Sequence, residues 1–513
     1  MVILVRQVKQ AGGTMGEQQA RLDGAETFRL GATARRFLLA TLLLLIAARL
    51  MLIFWLPVID PTEGRYIEIA RKMLETGDWI TPQFDYGVPF WGKPPLHTWL
   101  SALGMKLFGV SQFGGRILIF ATALATGWLC HDWVRRHWGR DLALLSVVAI
   151  AAALVFFGAS AFVATDMAMV LGTTLSMVAF FNCVTATENR RIWGNLLFVG
   201  LAVGMLAKGP TAVVLTGIPL FFWLLLGNRW ALLLRLPWGT GLAVLVLLTA
   251  PWYVAAELKT PGFLRYFIIG EHYERFVVPG WEGDLYGRGH ARPKGLIWAY
   301  GLAFFLPWTF FGLALLAKPV RLFAAAKGLG GGAGMYLLLW ALSPMILFTP
   351  AANILPSYVL PSIPAAAILL VLLCSAVWQG GRILRLATAA TLVATLAVYL
   401  GLAGLAYFAP MRISANTELA LVAKARALEP QMPIIYWGAR AFSGEFYSNG
   451  RAQSTSDAAV LAGLAANTTR DAVAVLPEDL AQVQAILGDS VSNEGQFGAR
   501  FLLVEPANGG AGQ

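Results

Sequence analysis

The feature that most restricts the fold of this chain is a series of about eleven apolar runs, each long enough to cross a lipid bilayer. The runs cover residues 37–59, 113–130, 142–158, 165–185, 192–207, 210–227, 238–256, 295–316, 333–350, 356–377 and 383–408. Charged residues make up only 13% of the 513 residues, whereas a soluble chain carries roughly a quarter. The pattern predicts a polytopic α-helical membrane protein with about 11–13 transmembrane helices.

The distribution of positive charge indicates the orientation of the chain and argues against a nucleic-acid partner. The net charge is +11, but the basic residues fall in short loops between apolar runs and form no single patch. By the positive-inside rule, the loops rich in Lys and Arg are cytoplasmic, as is the N-terminal segment 1–36. The run at 37–59 has no small-residue cleavage site, so we interpret it as a retained transmembrane helix. Three regions are then expected on the external face, namely 60–112, 257–294 and 409–513.

Two of these external regions have recognisable secondary structure. The stretch PTEGRYIEIARKMLETGDW places apolar residues on one helical face and Glu68, Arg71 and Lys72 on the other. PPLHTWLSALGMKLFG follows with a second such stripe, so we expect two amphipathic helices on the membrane surface. In the tail 409–513, the strand candidates PIIYWG, AVAVLP and FLLVE alternate with helical segments. This predicts a compact, accessory α/β domain after a membrane-embedded part, 37–408.

The first apolar run ends in a carboxylate for which two roles are open. Asp60 precedes Pro61, and Glu63 follows, an arrangement typical of a helix start with Asp60 at the N-cap. Alternatively, Asp60 lies at a water-filled membrane mouth and accepts a proton from a substrate hydroxyl or helps to hold a metal. Both roles are compatible, because a helix N-terminus keeps a carboxylate ionised.

Two lysines and an aspartate also allow two interpretations each. Lys93, in FWGKPPLHTW, is either an interfacial lysine among aromatic residues or a point charge directed at a phosphate. Lys208, in LAKGP, lies at the end of a span, where a charge either snorkels or faces a cavity or a partner. Asp166 is either a cap or a counter-ion for such a cation. Acids and bases thus collect at the external face.

The loop 257–294 adds candidates for an outward-facing cleft. They are Glu271, His272, Arg275, His290 and Arg292. The adjacent glutamate and histidine are a weak indication of a metal site, because the chain has no HExxH or CxxC motif. Tyr358, in NILPSYVLPSIP, either orients a polar ligand or is an interfacial aromatic residue.

Taken together, these segments resemble the GT-C membrane glycosyltransferases of the protein O-mannosyltransferase superfamily, and most of all the bacterial aminoarabinose transferase branch that modifies lipid A. The resemblance extends from Asp60 to Pro361, and its most specific part is DPTEGRY, IARKMLETGDW and KPPL. LAKGP, EHYERF, HARP and LPSYVLP follow in the expected order. The resemblance implies a multi-pass protein of the bacterial inner membrane with a periplasmic active site. It also implies a polyprenyl-phosphate sugar donor and an acceptor that is lipid A or another envelope molecule.

The resemblance further implies roles for individual residues. The acidic catalytic position corresponds to Asp60. Positions associated with the donor phosphate or the cavity correspond to Arg65, Tyr66, Lys93, Lys208 and Tyr358, to which we add Arg292. Supporting positions are Glu63, Asp166, Glu271 and His272. This sequence departs from the family pattern at two positions, and both limit the assignment of family roles to its residues. Gly92 replaces a metal-associated glutamate, and Ile354 replaces a basic residue. No cofactor is therefore fixed, a divalent metal stays open, and the sugar and acceptor are undetermined.

The expected reaction is an inverting displacement in which cations neutralise a departing lipid phosphate. Asp60 would orient or deprotonate the acceptor, and a double displacement through a glycosyl-enzyme ranks lower. The competing class is a transporter or flippase for a lipid-linked sugar, which usually shows repeated halves with matching helix interruptions. No such repeat is visible in the sequence, and a membrane-anchored binding module would not need so many spans.

Overall fold

The structure, a computed structural model, describes residues 28–185, 188–287, 289–413, 416–464 and 470–506. A large helical part ends at Phe408 and is followed by a smaller α/β part. The helices of the first part are α1 (Ala32–Trp55), α2 (Thr62–Thr76), α3 (Leu96–Phe108), α4 (Gln112–Trp138), α5 (Arg140–Ala152), α6 (Leu154–Ala159), α7 (Asp166–Thr185), α8 (Arg190–Lys208), α9 (Pro210–Leu226), α10 (Trp238–Lys259), α11 (Phe263–Arg265), α12 (Arg275–Val277), α13 (Leu296–Phe304), α14 (Thr309–Leu316), α15 (Pro319–Gly328), α16 (Ala333–Phe348), α17 (Ile363–Trp378) and α18 (Arg382–Phe408). The connections include a short hairpin, a π-helical segment and two 3₁₀ segments, namely β1 (Gln83–Asp85) with β2 (Val88–Pro89), Tyr266–Glu274, Trp230–Arg235 and Pro356–Ser362.

The described part of the chain contains eight helices that are long and apolar enough to cross a membrane, or up to ten if each of two bent pairs is one span. The bent pairs are α13 with α14 and α15 with α16, and each bends by 107°. The predicted class, a polytopic helical membrane protein, is confirmed, and fewer of the described helices reach the length of a span than the expected number of about 11–13. One reason is the run 142–158, which the structure divides at Ala153 into α5 and α6, each shorter than a span.

Helix α7 lies at the centre of the helical bundle, because 89% of its most apolar 18-residue stretch is buried. It packs closely against α8 through glycines. A Cβ added to Gly172 would lie 2.6 Å from the Gly204 nitrogen and 2.7 Å from the Gly200 oxygen. Small residues let two helix backbones approach in this way. The packing brings the first residue of α7, Asp166, beside the last residue of α8, Lys208.

The C-terminal part is an α/β domain with one mixed sheet. Its elements are α19 (Pro410–Ile413), α20 (Leu419–Leu428), β3 (Ile434–Trp437), α21 (Phe442–Tyr447), β4 (Ala452–Thr455), α22 (Ala458–Leu464), β5 (Ala472–Val475), α23 (Leu480–Leu487), β6 (Ser492–Phe497) and β7 (Arg500–Val504). The strand order is β4-β3-β5-β7-β6, with β3 parallel to β4 and β5, and β7 antiparallel to β5 and β6. The three predicted strands are confirmed as β3, β5 and β7. The edge strands β4 and β6 were missed because their sequences, AQST and SNEGQF, are polar.

The charged face of α2 is buried against the C-terminal domain. Lys72 donates to Glu445 of α21 at 3.0 Å, and Arg71 donates to Glu68 at 2.7 Å. The side chains of Glu68 and Lys72 are each only 1% exposed. The amphipathic pattern of α2 was predicted correctly, but its charged face is covered by a partner with complementary charges. Burial of such charges is tolerated because they are paired and hydrogen-bonded.

Replacing Lys72 with Met is expected to loosen the attachment of the C-terminal domain moderately. Glu445 and Glu68 each keep an arginine partner, so the loss is about 1–3 kcal/mol. Limited proteolysis of the purified chain in detergent should release the C-terminal part at a lower protease concentration than in the wild type. The control is Lys424→Met, which removes a partly exposed pair with Glu494 elsewhere in the domain. Equal cleavage of both variants and wild type would contradict a role for Lys72 in docking.

Candidate active site

Asp60 lies just before α2, and the C-terminal domain holds its carboxylate. The backbone N–H of Ser443 donates to Oδ1 at 2.9 Å and to Oδ2 at 3.1 Å, and the Ser443 hydroxyl also donates to Oδ2. The N-cap residue of α2 is Pro61, and no side chain caps this helix. The predicted capping role of Asp60 is therefore wrong, because the helix starts one residue later and the carboxylate turns toward the domain.

The surroundings of Asp60 shift its pKa into the range that suits a general base. Burial raises the pKa of Asp60 to about 6, although the two hydrogen bonds from Ser443 oppose this shift. Glu445 has a smaller effect in the same direction as burial, and Arg500 has a smaller opposing effect. The residue keeps intermediate exposure. A carboxylate with a pKa near neutral pH that is still accessible is suited to accept a proton.

Glu63 is committed to a buried ion pair with Arg116 of α4. Its two carboxylate oxygens accept from Nε of Arg116 at 2.8 Å and from Nη2 at 2.6 Å. The backbone N–H groups of Ile59 and Val163 also donate to this carboxylate, each at 3.3 Å. Glu63 is 1% exposed. It joins α2, α4 and the segment before α7, and this position supports the site without facing a substrate.

A first group of charged side chains surrounds Glu271 in the π-helical segment. Lys93 donates to Oε2 of Glu271, and Arg275 donates to Oε1 at 3.0 Å. Arg275 also donates to Asp284 at 3.0 Å. Burial alone would raise the pKa of Glu271, but the attraction of Lys93 and Arg275 holds this pKa below its ordinary value. We call Lys93, Glu271, Arg275 and Asp284 the loop cluster.

Arg65 and Tyr66 approach the loop cluster from α2. Arg65 donates to the carbonyl of Tyr286, which lies two positions after Asp284. Its Nε is buried and has no hydrogen-bond partner among the described residues. Tyr66 is 6% exposed and packs edge to face on His97, with ring centres 4.7 Å apart. The structure thus places Arg65 next to the cluster, whereas Tyr66 belongs to the apolar core beneath it.

A second group lies where α7 begins and α8 ends. Nζ of Lys208 donates to Oδ1 of Asp166 at 2.7 Å and lies 4.5 Å from the centre of the Tyr358 ring. We call Asp166, Lys208 and Tyr358 the helix-end cluster. Nε2 of His272 is 3.2 Å from the main-chain oxygen of Lys208. Because His272 directly follows Glu271, this contact ties the two clusters together.

Glu271 and His272 do not fit a metal site. Glu271 is paired with two cations, and both ring nitrogens of His272 lie near main-chain oxygens, at 2.7 and 3.2 Å. Gly92 supplies no side-chain ligand. In the part of the chain that the structure describes, no three His, Cys, Asp or Glu side chains are grouped so that they could hold a metal ion. We therefore derive no step through a divalent metal.

Arg292 lies outside both clusters. Its side chain is exposed and forms no ion pair with any residue that the structure describes. Its backbone N–H donates to the Ala352 oxygen at 3.2 Å, beside an isolated bridge between Ala291 and Asn353. This pairing fixes the loop against the segment that leads to Tyr358. The structure does not bring the Arg292 side chain to the paired cations.

Asp284 and Ser443 are the residues that the sequence analysis did not name, and Arg275 was named only as a candidate to line the outward-facing cleft. Arg275 lies four positions after Glu271, and this spacing pairs opposite charges on a helix. A signal for Arg275 was therefore present in the segment EHYERF. Ser443 is 383 positions from Asp60, and neither local sequence indicates their contact.

Comparison with known proteins identifies the family of this chain. A family model described as dolichyl-phosphate-mannose-protein mannosyltransferase matches residues 32–267. The undecaprenyl phosphate-alpha-4-amino-4-deoxy-L-arabinose arabinosyl transferase of Edwardsiella ictaluri is 32% identical over 321 residues, which are 61% of this chain and 54% of that protein. A transferase of the same description from Pseudomonas fluorescens is 30% identical over 405 residues, 74% of this chain and 69% of that protein. The chain thus spans about half the length of the first relative and over two thirds of the second.

Solved structures show the same architecture. ArnT from Cupriavidus metallidurans bound to undecaprenyl phosphate matches with a TM-score of 0.73 and 20% identity, over 92% of this chain and 98% of that one. The Archaeoglobus fulgidus oligosaccharyltransferase in the apo form matches with a TM-score of 0.52 and 13% identity, over 82% of this chain and 64% of that one. The fold is therefore that of the GT-C membrane proteins. The chain belongs to the family of the undecaprenyl phosphate-aminoarabinose arabinosyl transferases, within the protein O-mannosyltransferase superfamily.

Proposed function

We propose that this chain is a glycosyltransferase that moves a sugar from a polyprenyl-phosphate donor of the undecaprenyl type to an acceptor at the periplasmic face of the bacterial inner membrane. Lipid A is the acceptor we propose first, and another envelope glycan or a protein is the alternative. The donor class is supported by the names of the relatives and by the undecaprenyl phosphate bound to the similar ArnT structure. The structural support is one observation, namely that the cations of the loop and helix-end clusters are joined through His272.

The paired cations suit the recognition of a lipid phosphate. Lys93, Arg275 and Lys208 each contact a carboxylate, and Arg65 lies beside them with an unpaired Nε. Such pairs keep the cations ordered, and a phosphate that enters can take over part of their interaction. Arg275 can grip phosphate oxygens bidentately, whereas the two lysines act as point charges. The site therefore provides the positive charge that a departing phosphate needs.

The proposed reaction is a single inverting displacement. The bond between the sugar anomeric carbon and the phosphate oxygen breaks, and its electron pair leaves with the phosphate. The acceptor oxygen forms the new bond from the opposite side, and Asp60 takes the acceptor proton. If the acceptor oxygen belongs to a phosphate, it is already anionic, and Asp60 then only orients it. A double displacement ranks lower, because Asp60 is already hydrogen-bonded to Ser443 and is a poorer nucleophile for it.

The positions of Asp60 and Arg65 suggest where the acceptor enters. Arg65 lies five positions after Asp60, near the start of α2, whereas Asp60 precedes the helix. Arg65 faces the loop cluster, whereas Asp60 faces the C-terminal domain. A donor whose phosphate contacts the cations can therefore extend its sugar along α2 toward Asp60. The acceptor would then meet the donor sugar near Asp60, just before α2.

Mass spectrometry of lipid A from cells with and without the gene tests this proposal. A sugar-mass increment that requires the gene, and that the Asp60→Asn variant does not restore, would support transfer to lipid A and identify the sugar class. If lipid A never changes, the proposed acceptor is wrong, and the comparison moves to other envelope glycans and proteins. If these are also unchanged, the proposed transfer is wrong and a flippase becomes the better explanation, because a flippase relocates its lipid unaltered.

Chelation is expected to leave transfer unchanged. The charges around the donor phosphate come from Lys93, Arg275 and Lys208, and Glu271 and His272 do not fit a metal. Purified protein assayed with and without EDTA should therefore differ in rate by less than about twofold. The control is readdition of Mg²⁺ or Mn²⁺ after EDTA. A rate that falls with EDTA and returns with one of these ions would contradict the prediction.

A further inference from the structure

Ser443 is rigidly held in the C-terminal domain with its hydroxyl directed at Asp60. The residue is fully buried, at 0% exposure. The backbone N–H of Glu418 donates to its Oγ at 3.0 Å, so the hydroxyl hydrogen is left to donate to the Asp60 carboxylate. The chain around Asp60 is fixed as well, because its backbone N–H donates to the Asn416 oxygen at 2.9 Å. Two segments of the C-terminal part therefore hold this one residue of the first loop.

We infer that Ser443 is a positioning residue, which orients the Asp60 carboxylate and keeps it ionised for the acceptor. This inference rests on the proposed function, and it makes the C-terminal domain part of the catalytic unit and not an accessory. A carboxylate offers about four acceptor positions. Ser443 uses positions on both oxygens, but its hydroxyl engages only Oδ2. These three hydrogen bonds leave about one acceptor position of the carboxylate for a substrate proton.

Gly64 provides a second, independent observation. A Cβ added to Gly64 would overlap Oδ1 of Asp60 and lie 3.1 Å from the Ser443 nitrogen. The three atoms nearest to that Cβ all belong to Asp60 and Ser443. Glycine inside a helix is unfavourable by about 1 kcal/mol relative to alanine. Helix α2 thus carries a destabilising residue at the one place where a side chain would push Asp60 away from Ser443.

Several titratable groups face Asp60 and determine how it responds to pH. They are Glu418 before α20, Tyr436 of β3, Glu445 and Tyr447 of α21, and Arg500 of β7. Burial raises the pKa of Glu418 to about 7, so this carboxyl also titrates near neutral pH. The Ser443 hydroxyl favours ionised Asp60. Without the hydroxyl, the pKa of Asp60 rises, and a reaction that needs the ionised base requires a higher pH.

The test is the pH dependence of kcat/KM for the full-length protein in proteoliposomes. The substrates are undecaprenyl-phosphate aminoarabinose and lipid A. For Ser443→Ala, we expect the acidic limb to move up by about one pH unit. Its kcat/KM would be roughly tenfold below wild type at about pH 5.5 and within about twofold at about pH 8.5. The control is Ser448→Ala in the same domain, whose buried hydroxyl contacts only local backbone groups. Any decrease in kcat/KM of Ser448→Ala should be the same at every pH.

Three outcomes would overturn the inference. An acidic limb that Ser443→Ala leaves in place means that Ser443 does not tune Asp60. Higher activity of Ser443→Ala at all pH values means that the contact restrains the enzyme. If the wild type transfers sugar neither to lipid A nor to other envelope acceptors, the proposed function itself is wrong. If Ser443→Ala does not accumulate in the membrane, Gly64→Ala replaces it. Both contact residues are then intact but separated, and an upward shift at least as large is expected, because Asp60 loses the backbone donor of Ser443 as well.

Discussion

Replacing Lys93 with Gln is expected to lower kcat/KM by about 10²–10³-fold, the loss typical when one preorganised stabiliser of transition-state charge is removed. Lys93 has one carboxylate partner, Glu271, and its side chain is 18% exposed, so a donor phosphate can reach it. The donor phosphate carries one negative charge before the bond breaks and two afterwards. The effect should therefore fall mainly on kcat, and steady-state kinetics with a labelled donor would measure it.

The matched control is Lys259→Gln, which makes the same substitution at the end of α10. Lys259 pairs with Asp78 at 2.7 Å and is 46% exposed, outside both clusters. Exposed pairs of this kind contribute little, so its kcat/KM should stay within about twofold of wild type. If Lys93→Gln also retained near-normal kcat/KM, the loop cluster would not bind the phosphate. The helix-end cluster, with Lys208, would then be the remaining candidate.

Asp166 and Lys208 could be predicted from the sequence because each lies in or beside an apolar run. Charges are costly in such places, and a functional or structural reason is expected for them. The pairing of Asp166 with Lys208 also follows from local order, since α7 begins at one and α8 ends at the other. The partner of Lys93 could not be predicted in this way. Glu271 lies 178 positions away, and only the packing of the loop 257–294 brings it close.

The face of α2 that carries Glu68 and Lys72 shows the limit of periodicity. A polar stripe predicts that one side of a helix avoids apolar surroundings, but it does not say whether water or a complementary surface covers it. Here the C-terminal domain supplies Glu445, so these charges are buried and paired. The contact of Asp60 with Ser443 was invisible for the same reason. A hydrogen bond between distant segments leaves no pattern in either of them.

Replacing Arg116 with Met is expected to destabilise the protein by about 3–5 kcal/mol, the usual cost of leaving a buried charge without its partner. Glu63 would keep only two backbone donors, from Ile59 and Val163. Arg116 also donates to the carbonyl oxygens of residues 53, 56 and 57, where α1 ends and has no further donors of its own. The change therefore removes the ion pair with Glu63 and also the hydrogen bonds to the carbonyl groups at the end of α1. The midpoint of thermal unfolding in detergent would fall accordingly.

Two further variants separate these contributions. Arg135→Met on the same helix removes an exposed pair with Asp132 and should cost less than about 1 kcal/mol. Adding Glu63→Gln to Arg116→Met removes the unpaired charge but not the loss at the end of α1. If the buried charge dominates, this double variant is more stable than Arg116→Met alone, and the difference is the cost of leaving the Glu63 charge without its partner. If the two are equally stable, the carbonyl groups at the end of α1 account for the loss, and Glu63 is not the reason that Arg116 lies within the bundle.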